Sequence, residues 1–193
     1  TVLDPMKALD DPRIPIYFRA NADGEYISLE ASEKGSVVTD KEISEKPSLC
    51  TEAGFQKNNL LRADYPDVIC SYAETMFYVA EAYVRGLGVA KDLAQADAAY
   101  RKGIEASCGV AAATAASFAA GVPSLSTLGG DDKALEAIAS QQRIEMMMRP
   151  LEAWSNQRRT GYPALEVPAS IRSFYPGIMH RWPYPEREGS VND

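Results

Sequence analysis

Histidine is nearly absent: among 193 residues only His180 occurs. That scarcity argues against His-based triads and leaves no partner for an H-E-x-x-H zinc site or a two-His facial triad. An enzyme built from this chain would have to rely on carboxylates, Lys, Tyr or Cys. Cysteine is sparse as well. Cys50, Cys70 and Cys108 are odd in number and form no C-x-x-C pair, so neither a disulfide scaffold nor a zinc knuckle is indicated. Cys70 and Cys108 read as buried small hydrophobes on helices. Basic charge is in deficit, with 20 Lys and Arg against 27 Asp and Glu and a net charge of -7. Without a basic field, nucleic acid is a poor partner and acidic substrates are disfavoured. Long apolar runs are missing too: Val110 to Val122 is mostly Ala, interrupted by Thr114, Ser117 and Gly121, well short of the ~20 residues of a bilayer span. No phosphate loop is present, because Gly129-Gly130 lacks a following Gly-Lys-Ser/Thr and Gly86-Leu87-Gly88 follows a helix rather than a strand. Thr1 opens without a charged n-region, apolar h-region or lipidation-type cysteine.

What is present is one domain's worth of chain with 46% hydrophobic residues. Residues 1–66 carry Pro5, Pro12, Pro15, Pro47 and Pro66 with no sustained apolar period, which predicts coil with short extended pieces. Within it, Ile14 to Arg19, a turn over Asn21 to Gly24 and then Glu25 to Leu29 predict a small β-hairpin. Asp23-Gly24 would supply the positive φ of the turn, and Pro15 would confine its strand to an edge. Residues 67–163 are helical in pattern. Tyr72, Met76, Ala80, Tyr83 and Leu87 predict one buried helical stripe, ending at Gly86 and Gly88. Asp92 is placed to cap a second helix whose stripe is Leu93, Ala96, Tyr100, Ile104 and Cys108, closing near Gly109.

Two helices across so short a break make an αα-hairpin, and its small residues and Gly-x-Gly break resemble a single tetratricopeptide unit. One unit cannot bury its own apolar face and must pack on other helices. A short helix is expected over Ala111 to Ala120. A third long helix is expected over Lys133 to Met148, capped by Asp131 or Asp132 and burying Ala134, Leu135, Ile138, Ile144, Met147 and Met148. Pro150 suits a restarted first turn, Arg158 and Arg159 complement the dipole of the last, Gly161 is the expected C′ residue and Pro163 stops continuation. Residues 164–193 read as ordered coil. The expected fold class is therefore mainly α, with tetratricopeptide-type αα-hairpins, long ordered coil and a small β-hairpin.

Few residues invite a chemical assignment. Glu136, Glu145 and Glu152 share a helical segment, but their spacings of nine and seven residues are those of a solvated face. Asn21, Asp23, Gly24 and Glu30 match part of a calcium loop, yet Arg19 occupies the position of its first carboxylate. A plain hairpin turn is the simpler reading, and no metal or cofactor is expected. The aromatics are more suggestive. Ten Tyr, five Phe and two Trp fall partly in loops, and rings with a polar handle suit ligands having an apolar face and many hydroxyls. Tyr26, Phe55, Tyr65, Phe174 and Tyr175 are the candidate ligand-binding residues.

Four segments carry a family resemblance. Leu151-Glu152-Ala153-Trp154, continuing through Arg158-Arg159-Thr160-Gly161-Tyr162-Pro163, resembles the "EAW…RRTGYP" ending of SusD/RagB-like proteins. Asp11-Pro12-Arg13-Ile14-Pro15-Ile16-Tyr17-Phe18 resembles their "DPRLPIYF". Ser71-Tyr72-Ala73-Glu74 with Ala80-Glu81-Ala82 resembles "SYAE…AEA", and Arg181-Trp182-Pro183-Tyr184-Pro185 resembles "R-x-PYP". In these motifs Trp154 is expected to face the core and Gly161 to make the chain exit. The resemblance implies a helical, non-enzymatic nutrient-binding lipoprotein on the outer face of an outer membrane. It would bind an oligosaccharide or another nutrient, such as peptide, for a SusC-like TonB-dependent transporter. A scaffold that mainly docks to the transporter is the alternative. Family chains are longer, so the resemblance also implies that residues 1–193 are the C-terminal portion of one such domain, whose lipid anchor lies outside this chain.

Overall fold

Ser71 has extended backbone and its hydroxyl accepts the amide of Glu74 at 2.9 Å, so the helical part of the chain opens on a side-chain cap. The structure is a computed structural model, which describes residues 2–18, 20, 24–26, 66–165 and 177. The helices in these residues are α1 (Leu3–Ala8), α2 (Ile14–Tyr17), α3 (Tyr72–Arg85), α4 (Leu93–Ser107), α5 (Ala112–Gly121), α6 (Asp131–Glu145) and α7 (Pro150–Thr160). Single 3₁₀ turns lie at Leu125–Thr127 and Met146–Met148. The mainly α class holds, with no strand among the described residues. None of these helices is long and apolar enough to cross a membrane.

Gly86, left-handed at φ 74°, ends α3, and Asp92 caps α4 by accepting the amides of Ala94 and Gln95. The resulting hairpin closes tightly because Gly103 has no side chain: a Cβ there would lie 2.7 Å from the Phe77 ring. Phe77 and Tyr100 meet with tilted rings 6.2 Å apart. Around them Ala80, Val84, Ala96, Ile104, Ala119, Leu125, Ala134 and Ile138 form the main core, joining α3 and α4 to α5 and α6. The α4 stripe is the expected one. Cys108 closes it, buried, with its thiol pushed up to about 11 by that burial.

A second cluster of Leu3, Met6, Ile14, Phe18 and Ile144 packs the N-terminal segment onto α6. Its anchor is Arg13, which is fully buried. The guanidinium donates to Asp11 through Nε at 2.9 Å and Nη2 at 2.5 Å, to Gln141 at 2.6 Å and to Ser107 at 2.7 Å. It also lies 5.6 Å from the centre of the Phe118 ring. One side chain of the Asp-Pro-Arg motif thus touches α4, α5 and α6 together.

Several expectations are corrected. The first strand of the β-hairpin is instead a helical turn, α2. Pro15 is compatible with a first helical turn, and the amide of Ile14 donates to the Asp11 carbonyl at 3.1 Å. Gly24 keeps the positive φ expected of it, at 80°; residues 27–29 and the calcium-like positions Asn21, Asp23 and Glu30 lie outside the described residues. The buried face of α3 is Ala73, Phe77, Ala80 and Val84 together with Glu74 and Glu81. Tyr72 and Leu87, assigned to that stripe, are 61% and 60% exposed. The face is rotated because two carboxylates are buried by arginine partners, which an apolar count scores as solvent-facing. Cys70 precedes α3 and is exposed rather than a buried helical residue. α6 starts on Gly130 without a side-chain cap; Asp131 and Asp132 occupy its first turn, and Asp131 pairs with Lys91 at 2.7 Å. The helix gives way at Met146, which is the fully buried methionine of the three, whereas Met147 and Met148 are half-buried.

Candidate functional site

The motif segments that are far apart in sequence meet as ion pairs at the ends of α7. Arg149, just before α7, donates to Glu74 at 2.6 Å and to Glu145 at 2.7 Å, while the Ser71 hydroxyl donates to the other Glu145 oxygen at 2.7 Å. At the far end Arg159 clasps Glu81, which also receives Arg85 at 2.7 Å. Burial alone would raise the Glu81 carboxyl, but hydrogen bonds and charge from Arg159 and Arg85 hold it below the usual carboxylate range. Between these two fixed points Asn156 and Gln157 face inward, and Asn156 Nδ2 donates to Gln142 of α6 at 2.9 Å. Gly161 ends α7 in the left-handed conformation, as expected.

Trp154 does not face the core. It is 40% exposed, because the inward positions of α7 go to Asn156 and Gln157, and Arg158 one turn on lies 4.6 Å over its ring. The indole borders a pocket of about 290 Å³ with Val2, Arg143, Met146, Gln157 and Leu165. Its wall is largely apolar, with two polar groups lacking partners. Among the described residues Arg143 has no ion-pair or hydrogen-bond partner, and burial lowers its pKa from the ordinary arginine value. Gln157 is 9% exposed and its Oε1 is buried without a hydrogen-bond partner among the described residues. Such a site can take a small ligand by contact with an aromatic face and a few placed polar groups.

A second cleft, of about 540 Å³, lies between the turn at Leu9 to Pro12 and α5. It presents the Asp10 carboxylate, the hydroxyls of Thr114 and Ser117 and the half-buried Phe118 ring. Asp10 holds a left-handed backbone at φ 51°. The Phe118 ring that lines this cleft is the one that Arg13 approaches.

Of the aromatics singled out from the sequence, Tyr26 is half-buried, packed against the second core cluster, and its carbonyl accepts Lys7 Nζ at 2.7 Å. Phe55, Tyr65, Phe174 and Tyr175 lie outside the described residues. Glu136 pairs with Lys133 and Glu145 with Arg149, and each of these carboxylates has a structural cation within its own helical neighbourhood. Among the described residues no group of three or more His, Cys, Asp and Glu gathers as a metal site. Sequence reasoning passed over Arg143 and Gln157, since a lone Arg and a lone Gln on a helix carry no spacing signal.

Comparison with known proteins gives one family match. The model of a SusD-like family, described as starch-binding and associating with the outer membrane, matches residues 1–185. No match was found among curated proteins.

Proposed function

Because the chain belongs to the SusD-like family, we propose that it is a non-catalytic binder of an oligosaccharide at the cell surface, serving import through a TonB-dependent transporter. The family description gives starch binding and association with the outer membrane, and its members are binding proteins rather than enzymes. The observation that carries the reading is the family match over 185 residues, joined by an exposed indole at the mouth of a small pocket. Aromatic stacking with a few hydrogen bonds is the chemistry by which a sugar ring is held without being cleaved. In this reading a lipid anchor holds the protein to the outer membrane, and a SusC-like barrel is its partner.

Native affinity electrophoresis of the full-length protein through gels containing single polysaccharides tests this. Retardation by at least one polysaccharide is expected. Unretarded migration in every polysaccharide, with a bound peptide recovered instead, overturns the ligand class. The second reading, a docking scaffold, draws on the exposed apolar side chains Ile69, Tyr72 and Leu151, which are 88%, 61% and 73% accessible. It predicts co-purification with a barrel partner that survives Trp154→Ala and is lost on Ile69→Asp with Leu151→Asp.

A further inference from the structure

The arginines of the described residues divide sharply. Arg13, Arg85, Arg101, Arg149 and Arg159 each pair with a carboxylate. Arg143 and Arg158 do not, in a chain whose net charge is -7. Both stand at the same pocket: Arg143 lines it together with Trp154, and Arg158 lies 4.6 Å over the Trp154 ring. An acidic protein that pairs its other described arginines but leaves these two without carboxylates has a local cationic site. A half-buried guanidinium without an acceptor is costly, so a ligand that supplies one gains a charge-assisted contact.

The remaining groups narrow the ligand. Gln157 borders the pocket, but its unpartnered side-chain oxygen is buried away from the pocket space, so it supplies wall rather than a ligand contact. Gln142 Nε2 is also unpartnered on the α6 to α7 contact, but Gln142 does not line the pocket. Trp154 and Met146 present aromatic and thioether surface that suits the C–H face of a ring. A volume of about 290 Å³ is at the lower end of small-ligand clefts and suits one ring rather than a chain.

From this juxtaposition of Arg143, Trp154 and Arg158 we infer that the pocket between α6 and α7 binds a carboxylate-bearing sugar ring. The carboxylate meets Arg143 and the apolar ring face covers the indole. This reverses, for one pocket, the expectation from net charge that acidic substrates are disfavoured. The inference rests on the saccharide-binding reading and sharpens its substrate class to acidic glycans.

Calorimetric titration of the full-length protein with an oligogalacturonate and with a neutral malto-oligosaccharide of equal length tests it. The acidic sugar is expected to bind, with affinity that falls as salt rises, and Arg143→Met is expected to weaken it by about tenfold or more. Met retains the apolar stem, and an unchanged urea midpoint shows that the variant is folded; Trp154→Phe supplies a second folded variant with a weaker stacking face. Oligogalacturonate binding that is unchanged in both variants overturns the site. Binding of the neutral sugar alone overturns the acidic class while leaving the saccharide reading intact. Absence of binding by any saccharide overturns both.

Discussion

Arg159 of α7 holds Glu81 of α3 with both terminal guanidinium nitrogens, Nη1 at 2.7 Å and Nη2 at 2.6 Å, across 78 residues of sequence. The pair joins two of the segments by which the family is recognised, and it fixes the end of the helix that carries Trp154. The Glu81 side chain is 5% exposed and that of Arg159 is 46% exposed, so the carboxylate is the member that suffers when the contact is lost. Arg159→Ala is expected to destabilise the fold by about 1–3 kcal/mol, less than for a fully buried pair because the arginine is half in solvent. Arg159→Lys should recover only part of this, lacking the planar fork. Urea unfolding of the two single variants and the double variant with Glu81→Gln gives the coupling directly; additive effects would show that the contact contributes nothing of its own.

The same pair makes stability depend on acid. The folded Glu81 carboxyl titrates below its unfolded value, held there by Arg159 and Arg85 against the opposing effect of burial. The unfolded state therefore binds more protons in that interval. The contribution is fully present above the unfolded pKa and disappears as pH falls through the lower folded one. Asp97 behaves alike: burial opposes, but the Leu125 amide and Arg101 lower its pKa. Unfolding midpoints measured from neutral pH down to about pH 3 should fall, and Glu81→Gln should flatten the slope. An equal slope in the variant would remove Glu81 from the account.

Arg13 offers the largest single effect. Replacing it with Met leaves Asp11, itself 2% exposed, as an unpaired buried carboxylate and removes the donors to Gln141 and Ser107. A loss of about 3–5 kcal/mol is expected, and Asp11→Asn in the Arg13→Met background should restore part of it by removing the stranded charge. Differential scanning calorimetry checks both; an Arg13→Met transition within a degree or so of the parent would contradict the anchor.

Gly103→Ala tests the closeness of the helical hairpin. The added Cβ would meet the fully buried Phe77 ring at 2.7 Å, so the ring or one of the helices has to shift. Overpacking of about 1–3 kcal/mol should exceed the ~1 kcal/mol gained in helix propensity, giving a net loss in chemical denaturation. A stabilised variant would mean the ring can move aside.

Composition and periodicity located the long helices because their ends carry strong local chemistry: Asp92 as a cap, Gly86 and Gly161 as left-handed exits. They failed where a polar residue is buried by a distant partner. Glu74 and Glu81 look solvent-facing in sequence, and only the folded chain brings Arg149 and Arg159 to them. The α2 turn was hidden for the same reason, since Arg13 draws the Asp-Pro-Arg segment into the core against the extended preference of alternating Ile and Pro residues. Trp154 is expected in the core from the reading of its motif, yet Asn156 and Gln157 take the inward positions of α7. The pocket at Trp154 was consequently illegible: its polar groups, Arg143 and Gln157, become conspicuous only by lacking the partners that their counterparts have.

Calorimetric titration with a panel of oligosaccharides, followed by chromatography of the recovered sugars, bears most directly on a surface binder that does no chemistry. A saturable heat with at least one oligosaccharide, which is then recovered intact, is the predicted result. Shortened products appearing in step with protein concentration, or no heat with any sugar in the panel, would contradict it.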